Sequence, residues 1–381
     1  MKQMGIILAV CLLLSMLPVT AGAVDMQIKG KSALLMDIAT GTVLYEQNAH
    51  ERLAPASVTK VMTMLLIMEA IDSGKICWND TVIASEAAAA KGGSQIYLKV
   101  GESMSVTDMV KSIAVSSAND CACAMAEHIA GSEAAFVEMM NQRAAELGMN
   151  DTHFVNCTGL DDDESAKEHL TSAYDIAVMS RELMKNHPDI QKFTTIWMDT
   201  VRNGEFGLSN TNKLVRFYPG ATGLKTGFTS SAGYCLSATA QRNGLGLVAV
   251  VMGCETSQDR FGACKQLLDY GFANFALVKP EVEELSVPVK LGTADAVRAV
   301  PAEAVQLLID KFQLNQVLIR TELEEQVSAP VSKGQRLGTL TVKVGEQTIT
   351  QIPMVAAEAV PRLTWWDIFC IVMGKFAMAK A

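Results

Sequence analysis

The chain begins its alternation of apolar and polar positions near residue 31. Ser32-Ala33-Leu34-Leu35-Met36-Asp37, a turn around Ala39-Thr40-Gly41 and Thr42-Val43-Leu44-Tyr45-Glu46 predict a β-hairpin over 31–46. The period then changes. Val61, Met62, Met64, Leu65, Leu66 and Ile67 make a helix from Ser57 to about Ile71 apolar nearly all round, which is the pattern of a helix buried in a core. Further helical stretches are expected at 105–130, 133–147 and 172–186, and strands at 233–240 and 245–253. Strands first, helices in the middle and strands last predict an α+β fold, with helices packed on an antiparallel sheet. Near Val278-Lys279-Pro280-Glu281 the pattern becomes short alternating runs such as Leu285–Val289 and Thr339–Val344, with turn signals at Lys333-Gly334 and Val344-Gly345. We expect a catalytic domain over 24–277 and a small all-β domain over 282–358.

The two ends read differently from the body. Lys2, the apolar run Ile6–Leu14, Pro18 and Ala21-Gly22-Ala23 form a secretory signal peptide over 1–23, cleaved after Ala23. The alternative is an N-terminal anchor, but the run falls short of the roughly 20 apolar residues a span requires. At the other end Trp365, Phe369, Val372 and Phe376 share one helical face, opposite Asp367, Gly374 and Lys375. The stretch Trp365–Met378 would be about 21 Å long, short of a roughly 30 Å hydrocarbon core. Residues 362–381 are therefore expected to form an amphipathic helix lying in the plane of a membrane, the tryptophans at the headgroups. Docking on the protein's own core is the alternative.

Composition narrows the function classes. The 381 residues are 49% hydrophobic and 19% charged, with a net charge of −9 and no basic block, so nucleic acid is not expected as a partner. Nine cysteines are present. Cys11 lies in the signal and Cys370 in the tail, and the other seven lack metal-ligand spacing. Most are read as small buried apolar residues, with disulfides left open. Neither metal nor cofactor is expected.

Three short motifs carry the chemistry. In Ser57-Val58-Thr59-Lys60 the i and i+3 positions of a helix start share a face, so the lysine amine can reach the serine hydroxyl. A serine hydroxyl needs a base to take its proton, and burial among apolar side chains would lower the lysine pKa enough for it to serve. A helix N-terminus also offers free N–H groups to a developing oxyanion. Alone the pair is weak evidence, since a capping serine and a solvated lysine give the same letters. Ser117-Ala118-Asn119 reads as a helix cap, or as a hydroxyl relaying protons with Lys60 and an amide fixing the substrate. Lys225-Thr226-Gly227 stands just before the strand near Gly233 and offers a cation, a hydroxyl and a glycine that lets a substrate backbone come close.

S-x-x-K, S-D-N and K-T-G are the motifs of penicillin-binding proteins and class A β-lactamases, and the three triplets here follow that order, with alanine at the middle of the second. The chain resembles the low-molecular-mass penicillin-binding proteins, specifically the D-alanyl-D-alanine carboxypeptidases. Gly93-Ser94, Leu98-Lys99-Val100-Gly101, Leu147-Gly148-Met149, Gly159-Leu160-Asp161, Ser172-Ala173-Tyr174-Asp175 and Gly223–Thr229 extend the likeness over about 25–277, and more loosely beyond. The resemblance implies a penicillin-binding/β-lactamase-like catalytic domain, peptidoglycan stem peptides ending in D-Ala-D-Ala as substrate, acylation by β-lactam antibiotics, and work at the outer face of the cytoplasmic membrane. It implies Ser57 as nucleophile, Lys60 as base and Ser117 in the relay. Asn119, Lys225, Thr226 and Gly227 would bind substrate, the N–H groups of Ser57 and Phe228 would form the oxyanion hole, and Arg260 would supply a cation for the terminal carboxylate. Asp175 would order the loop beside the site, and His128 and His169 are read as structural.

Two positions depart from the family pattern. Ala118 stands where glycine is usual, and Cys157 where proline is common, which leaves that loop's rigidity and the thiol's reactivity open. A β-lactamase is the first competing reading, weakened because no E-x-x-x-N pattern occurs over 150–175. A non-catalytic cell-wall scaffold is the second, weakened because all three motifs are intact.

Overall fold

The computed structural model describes residues 26–279, 285–303 and 305–378. The expected signal peptide lies outside the described residues. A five-stranded antiparallel sheet forms the centre of the first unit. Its strands are β1 (Ser32–Asp37), β2 (Val43–Gln47), β3 (Ala221–Thr229), β4 (Gly233–Arg242) and β5 (Leu245–Cys254), in the order β2-β1-β5-β4-β3. Central β5 is buried on both faces because helices cover both. Val248, Val250 and Met252 face one core, and Leu247, Ala249 and Val251 face the other. The first face carries the helices α1 (Lys60–Asp72), α2 (Val106–Ser116), α3 (Asn119–Ala130), α4 (Glu133–Glu146) and α5 (Ala173–Asn186), and the second carries α6 (Ser257–Asn274).

Helix α1 runs through the middle of the larger core, with Val61 to Met68 all buried, as its all-round apolar sequence predicts. Three details differ from expectation. Ser57 stands on a 3₁₀ turn, Ala56–Thr59, and the α-helix begins only at Lys60. The expected helix over 105–130 is two helices, because Ser117 takes a left-handed conformation (φ 64°) that ends α2 and lets α3 start at Asn119. Lys225-Thr226-Gly227 lies inside edge strand β3 rather than ahead of a strand, and β3 forms a hairpin with β4. Helix α6 carries no periodic signal strong enough to have been read from the sequence.

Strand β6 (Phe275–Val278) pairs with Leu307–Asp310 and leads into a second unit. There a six-stranded sheet closes over its own core of Val287, Val297, Leu337, Leu340, Val342 and Met354. The last helix, α7 (Trp365–Met378), leaves Trp365, Trp366, Ile368 and Phe369 exposed. Among the described residues no helix is long and apolar enough to cross a membrane.

Candidate active site

The turn before α1, the α2–α3 junction and edge strand β3 converge. Gly227 explains how closely β3 approaches the turn: a Cβ there would come within 2.5 Å of the Pro55 carbonyl oxygen and 3.1 Å of the Ala56 Cβ. Ala56 itself holds a left-handed φ of 47°, a strained conformation for a residue with a Cβ, and so presents Ser57 at the cleft. Ser57 is half-buried.

Lys60 is fully buried, and its Nζ lies 3.0 Å from Ser57 Oγ and donates to the Thr158 carbonyl at 2.8 Å. Burial away from water lowers its pKa from 10.5 to about 7, opposed by the nearby Asp120 carboxylate. The Thr158 carbonyl belongs to a tightly held loop. Asn156 Oδ1 accepts from the N–H groups of Thr158 at 3.1 Å and Gly159 at 2.7 Å. Gly159, at φ +80°, packs so close to the Ala56–Thr59 turn that a Cβ would sit 1.9 Å from the Ala56 carbonyl oxygen.

Cys157 does not loosen this loop. Where a proline would donate nothing, its N–H and Sγ both reach Glu133 Oε1, at 3.3 and 3.2 Å, and Glu133 Oε2 pairs with Lys91 at 2.6 Å. Burial pushes the Cys157 thiol well above its ordinary pKa, so it is a structural thiol rather than a reactive one. All eight cysteines among the described residues are free, six of them buried.

Ser117 and Asn119 flank the break between α2 and α3. The Asn119 side-chain amide donates to the Gly92 carbonyl at 2.7 Å, leaving its Oδ1 buried and without a partner. Ser117 Oγ is likewise buried and unpartnered. Of five such buried atoms among the described residues, two belong to this junction, and a third, Arg260 Nε, lies behind β3. Buried polar groups are rarely left unpaired, and a concentration of them in a cleft marks where a ligand completes the bonding.

On β3, Lys225 Nζ donates to the Thr226 carbonyl at 2.9 Å, and Thr226 Oγ1 to Thr211 Oγ1 at 2.7 Å. Burial, with the charges of Lys60 and Arg260 nearby, brings Lys225 well below its ordinary pKa. Phe228 is exposed beside them. Arg260, buried on α6, donates through Nη1 to the carbonyls of Gly227 at 3.0 Å and Cys235 at 3.3 Å, so the guanidinium braces β3 as well as charging it. The structure thus brings Ser57, Lys60, Lys225, Thr226, Gly227 and Arg260 together with the Ser117–Asn119 junction.

Sequence reasoning missed three contributors. A backbone acceptor such as the Thr158 carbonyl leaves no letter in a sequence. Glu133 and Lys91 are 42 residues apart and show no pattern. Asp120, fully buried, accepts from the N–H groups of Ile96 at 3.1 Å, Leu98 at 3.0 Å and Cys121 at 2.9 Å. Its place beside Asn119 was the one available signal.

The neighbouring groups have structural work. Asp175 Oδ2 accepts from Asp151 N at 2.9 Å and Thr152 Oγ1 at 2.7 Å, tying residues 151–152 to α5. His169 Nδ1 accepts from Val155 N at 3.1 Å and Nε2 lies 2.8 Å from Thr59 Oγ1, while burial lowers its pKa to about 4. His128 is exposed in the last turn of α3.

Comparison with known proteins gives a consistent result. The family model described as D-alanyl-D-alanine carboxypeptidase matches residues 19–256, and the model of the penicillin-binding protein 5 C-terminal domain matches 272–362. The D-alanyl-D-alanine carboxypeptidase DacF of Bacillus subtilis is 42% identical over 359 residues, covering 92% of this chain and 91% of its own length. DacA of Escherichia coli K12 is 34% identical over 349 residues, with 88% and 84% covered. Among solved structures, penicillin-binding protein 5 from Haemophilus influenzae superposes with a TM-score of 0.76 at 31% identity, covering 90% of this chain and all of that one. Penicillin-binding protein D2 from Listeria monocytogenes in its ampicillin-bound form superposes with a TM-score of 0.59 at 32% identity, covering 65% of this chain and 99% of that one.

Proposed function

The chain belongs to the D-alanyl-D-alanine carboxypeptidase family and is a serine peptidase of the penicillin-binding class, and from that premise we propose the roles of its residues. The observation that carries them is the buried Lys60 amine, 3.0 Å from Ser57 Oγ and lowered to about 7. A neutral amine has one lone pair. With an N–H spent on the Thr158 carbonyl, the lone pair is free to face Ser57 and take its proton.

Ser57 Oγ then adds to the carbonyl of the penultimate D-alanine, and the oxyanion is met by the N–H groups of Ser57 and Phe228. Collapse breaks the peptide bond. Terminal D-alanine leaves as the amine, its proton delivered from Lys60 through Ser117, whose unpartnered Oγ suits a relay. Water, activated in turn by the same base, hydrolyses the ester and restores Ser57. Asn119 Oδ1 accepts from the substrate's backbone. Lys225 and Thr226 take the terminal carboxylate, with Arg260 adding charge behind β3. Lys225 holds its proton loosely in the free site, and an incoming carboxylate favours the charged form. A β-lactam is attacked in the same way, but its cleaved amide stays tethered, so no leaving group departs.

We propose that this chemistry works outside the cell, a reading supported by the character of the two terminal segments. We read 1–23 as a secretory signal, 24–277 as the catalytic domain, 282–358 as the β-domain, and 362–381 as an amphipathic anchor at the outer face of the cytoplasmic membrane. Exposed Trp365, Trp366 and Phe369 on α7 support the last of these, because an unpacked aromatic face on a terminal helix suits an interface with lipid. Removing 362–381 should release the protein from membranes, and continued sedimentation with them would contradict the anchor.

The catalytic reading is tested with purified protein, a pentapeptide ending in D-Ala-D-Ala, and a fluorescent penicillin. D-Alanine release and covalent labelling should both vanish in Ser57→Ala. Fast penicillin turnover without D-alanine release would favour a β-lactamase, and no labelling of the unaltered protein would leave a scaffold.

A further inference from the structure

Apart from Asn48 and Asn243, the left-handed non-glycine residues of the catalytic unit fall in two places. One is the nucleophile region, at Ala56 and Ser117. The other lies one loop away, where Tyr97 (φ 61°), Arg202 (φ 54°) and Asn203 (φ 54°) all hold left-handed conformations. Such a conformation is unfavourable for a bulky residue and persists only where its surroundings enforce it. At Tyr97 they do so completely. Asp120 accepts from the N–H groups on either side, those of Ile96 at 3.1 Å and Leu98 at 3.0 Å. Arg202 donates to the carbonyls of Ile96 at 2.8 Å and Tyr97 at 3.4 Å, and is itself held by Glu102 at 2.7 Å.

The ring so positioned does not pack into the core. Tyr97 is 67% exposed, and its nearest aromatic neighbour is the Phe206 ring, edge-on at 6.4 Å. Arg202 lies over Phe206 at 5.3 Å. These groups, with Lys99, Glu102 and Glu205, line a depression of about 590 Å³. The turn buries Ile96 and Leu98 in the larger core and leaves the Tyr97 ring between them facing solvent over the depression.

The chemistry of the lining selects the ligand class. Two cations, Lys99 and Arg202, are balanced by two anions, Glu102 and Glu205, so the depression has no net charge to attract an ionic group. Aromatic faces ringed by donors and acceptors of both kinds suit a neutral ring with one apolar face and a rim of hydroxyl and amide groups. The depression is also coupled to the catalytic cleft. Asp120 follows Asn119, and the loop that carries Tyr97 is tied to Asn119 through the Gly92 and Ser94 carbonyls, each at 2.7 Å.

We propose that the Tyr97–Arg202–Phe206 depression is a saccharide subsite that binds the amino-sugar portion of the glycan to which the stem peptide is attached. This rests on the peptidase reading above and adds the part of the substrate that lies beyond the peptide. The glycan's acid group is consumed in its amide link to the stem peptide, which leaves the neutral acetylated sugar that a charge-balanced site accepts.

The test compares two substrates of the full chain, a free pentapeptide and the same pentapeptide on its disaccharide, in unaltered protein and in Tyr97→Ala, Tyr97→Phe and Tyr97→Gly. The unaltered protein should show the lower KM for the disaccharide form. In Tyr97→Ala that advantage should shrink about tenfold, the loss of one ring contact, with kcat little moved. Tyr97→Phe should keep it. Tyr97→Gly, which relieves the strained φ, should lose it while melting no lower than the unaltered protein, which separates ligand contact from folding. Equal KM values for the two substrates in the unaltered protein, or an unchanged ratio in Tyr97→Ala and Tyr97→Gly, would overturn the subsite. D-Alanine release from neither substrate would instead sink the peptidase reading.

Discussion

Lowering the pH through neutrality perturbs Lys60 directly, because the neutral amine is the form that can accept the Ser57 proton. Burial brings Lys60 from 10.5 to about 7. At pH 7 a lysine with an ordinary pKa is neutral in about one molecule in 3,000, whereas Lys60 is neutral in about half, a gain of roughly 1,500-fold in active base. The second-order rate of acylation by a fluorescent penicillin, followed by stopped flow from pH 5 to 9, should therefore rise with pH. It should reach half its plateau near 7 and fall about tenfold per unit well below that. Asp120 works against the depression, since its charge favours protonated Lys60. Asp120→Asn keeps a carbonyl oxygen for the Ile96 and Leu98 N–H groups, so the acid limb should move to lower pH. A rate flat from pH 5.5 to 8.5, or half-maximal near 10, would refute the assignment of Lys60 as the base. An Asp120→Asn limb that stays in place would refute the electrostatic part alone.

Other outcomes test the scaffold around this pair. Glu133→Gln leaves Lys91 without its counter-charge and weakens the hold on Cys157; urea melts should show a loss of about 1–2 kcal/mol, with slower acylation, and unchanged values of both would remove Glu133 from the support of Lys60. Gly159→Ala puts a methyl group 1.9 Å from the Ala56 carbonyl oxygen at a φ of +80°, so penicillin labelling should fall at least about a hundredfold as the nucleophile turn shifts; labelling at the original rate would mean the turn is not fixed by that contact. In native protein beginning at residue 24, a thiol reagent should modify Cys77 and Cys370 quickly and leave the six buried cysteines until denaturant is added. Rapid reaction of Cys157 would contradict its structural role.

The helical core and the sheet could be read from the sequence because their signals are local and repetitive. The all-apolar face count of α1 and the alternating hairpin of β1 and β2 have one reading each. Boundaries fared less well where backbone conformation decides them. Nothing in Ser117's identity announces a left-handed turn, so 105–130 reads as one helix although its chain direction breaks at the site. The Ala56–Thr59 turn is missed for the same reason, since a 3₁₀ start and an α start share the same apolar pattern. Strand β3 was hidden because Ala221-Thr222-Gly223-Leu224-Lys225-Thr226-Gly227 is poor in the residues that mark strands. Its pairing with β4 and the close approach of Gly227 to the Pro55 carbonyl and the Ala56 Cβ hold it extended instead.

The residues of the site were legible as letters, but their properties were not. Lys60 looks like any lysine until α1 is known to run through the core. That placement gives the lysine of an S-x-x-K pair, which alone is common, an amine that is half neutral near pH 7, as the proposed base requires. Position 157 makes the same point in the opposite direction. Read against a family pattern, cysteine in place of proline suggests a loop that has lost its restraint. In the fold, the N–H that proline lacks and the thiol that stands in its place both bind one carboxylate, and that carboxylate is anchored by Lys91. The loop keeps its restraint by polar contacts instead of ring geometry, so the Thr158 carbonyl one residue on still orients the base. A substitution in such a site is best judged by which atom holds the catalytic group afterwards, and here the holding atom is on the backbone, where the family's letters do not look.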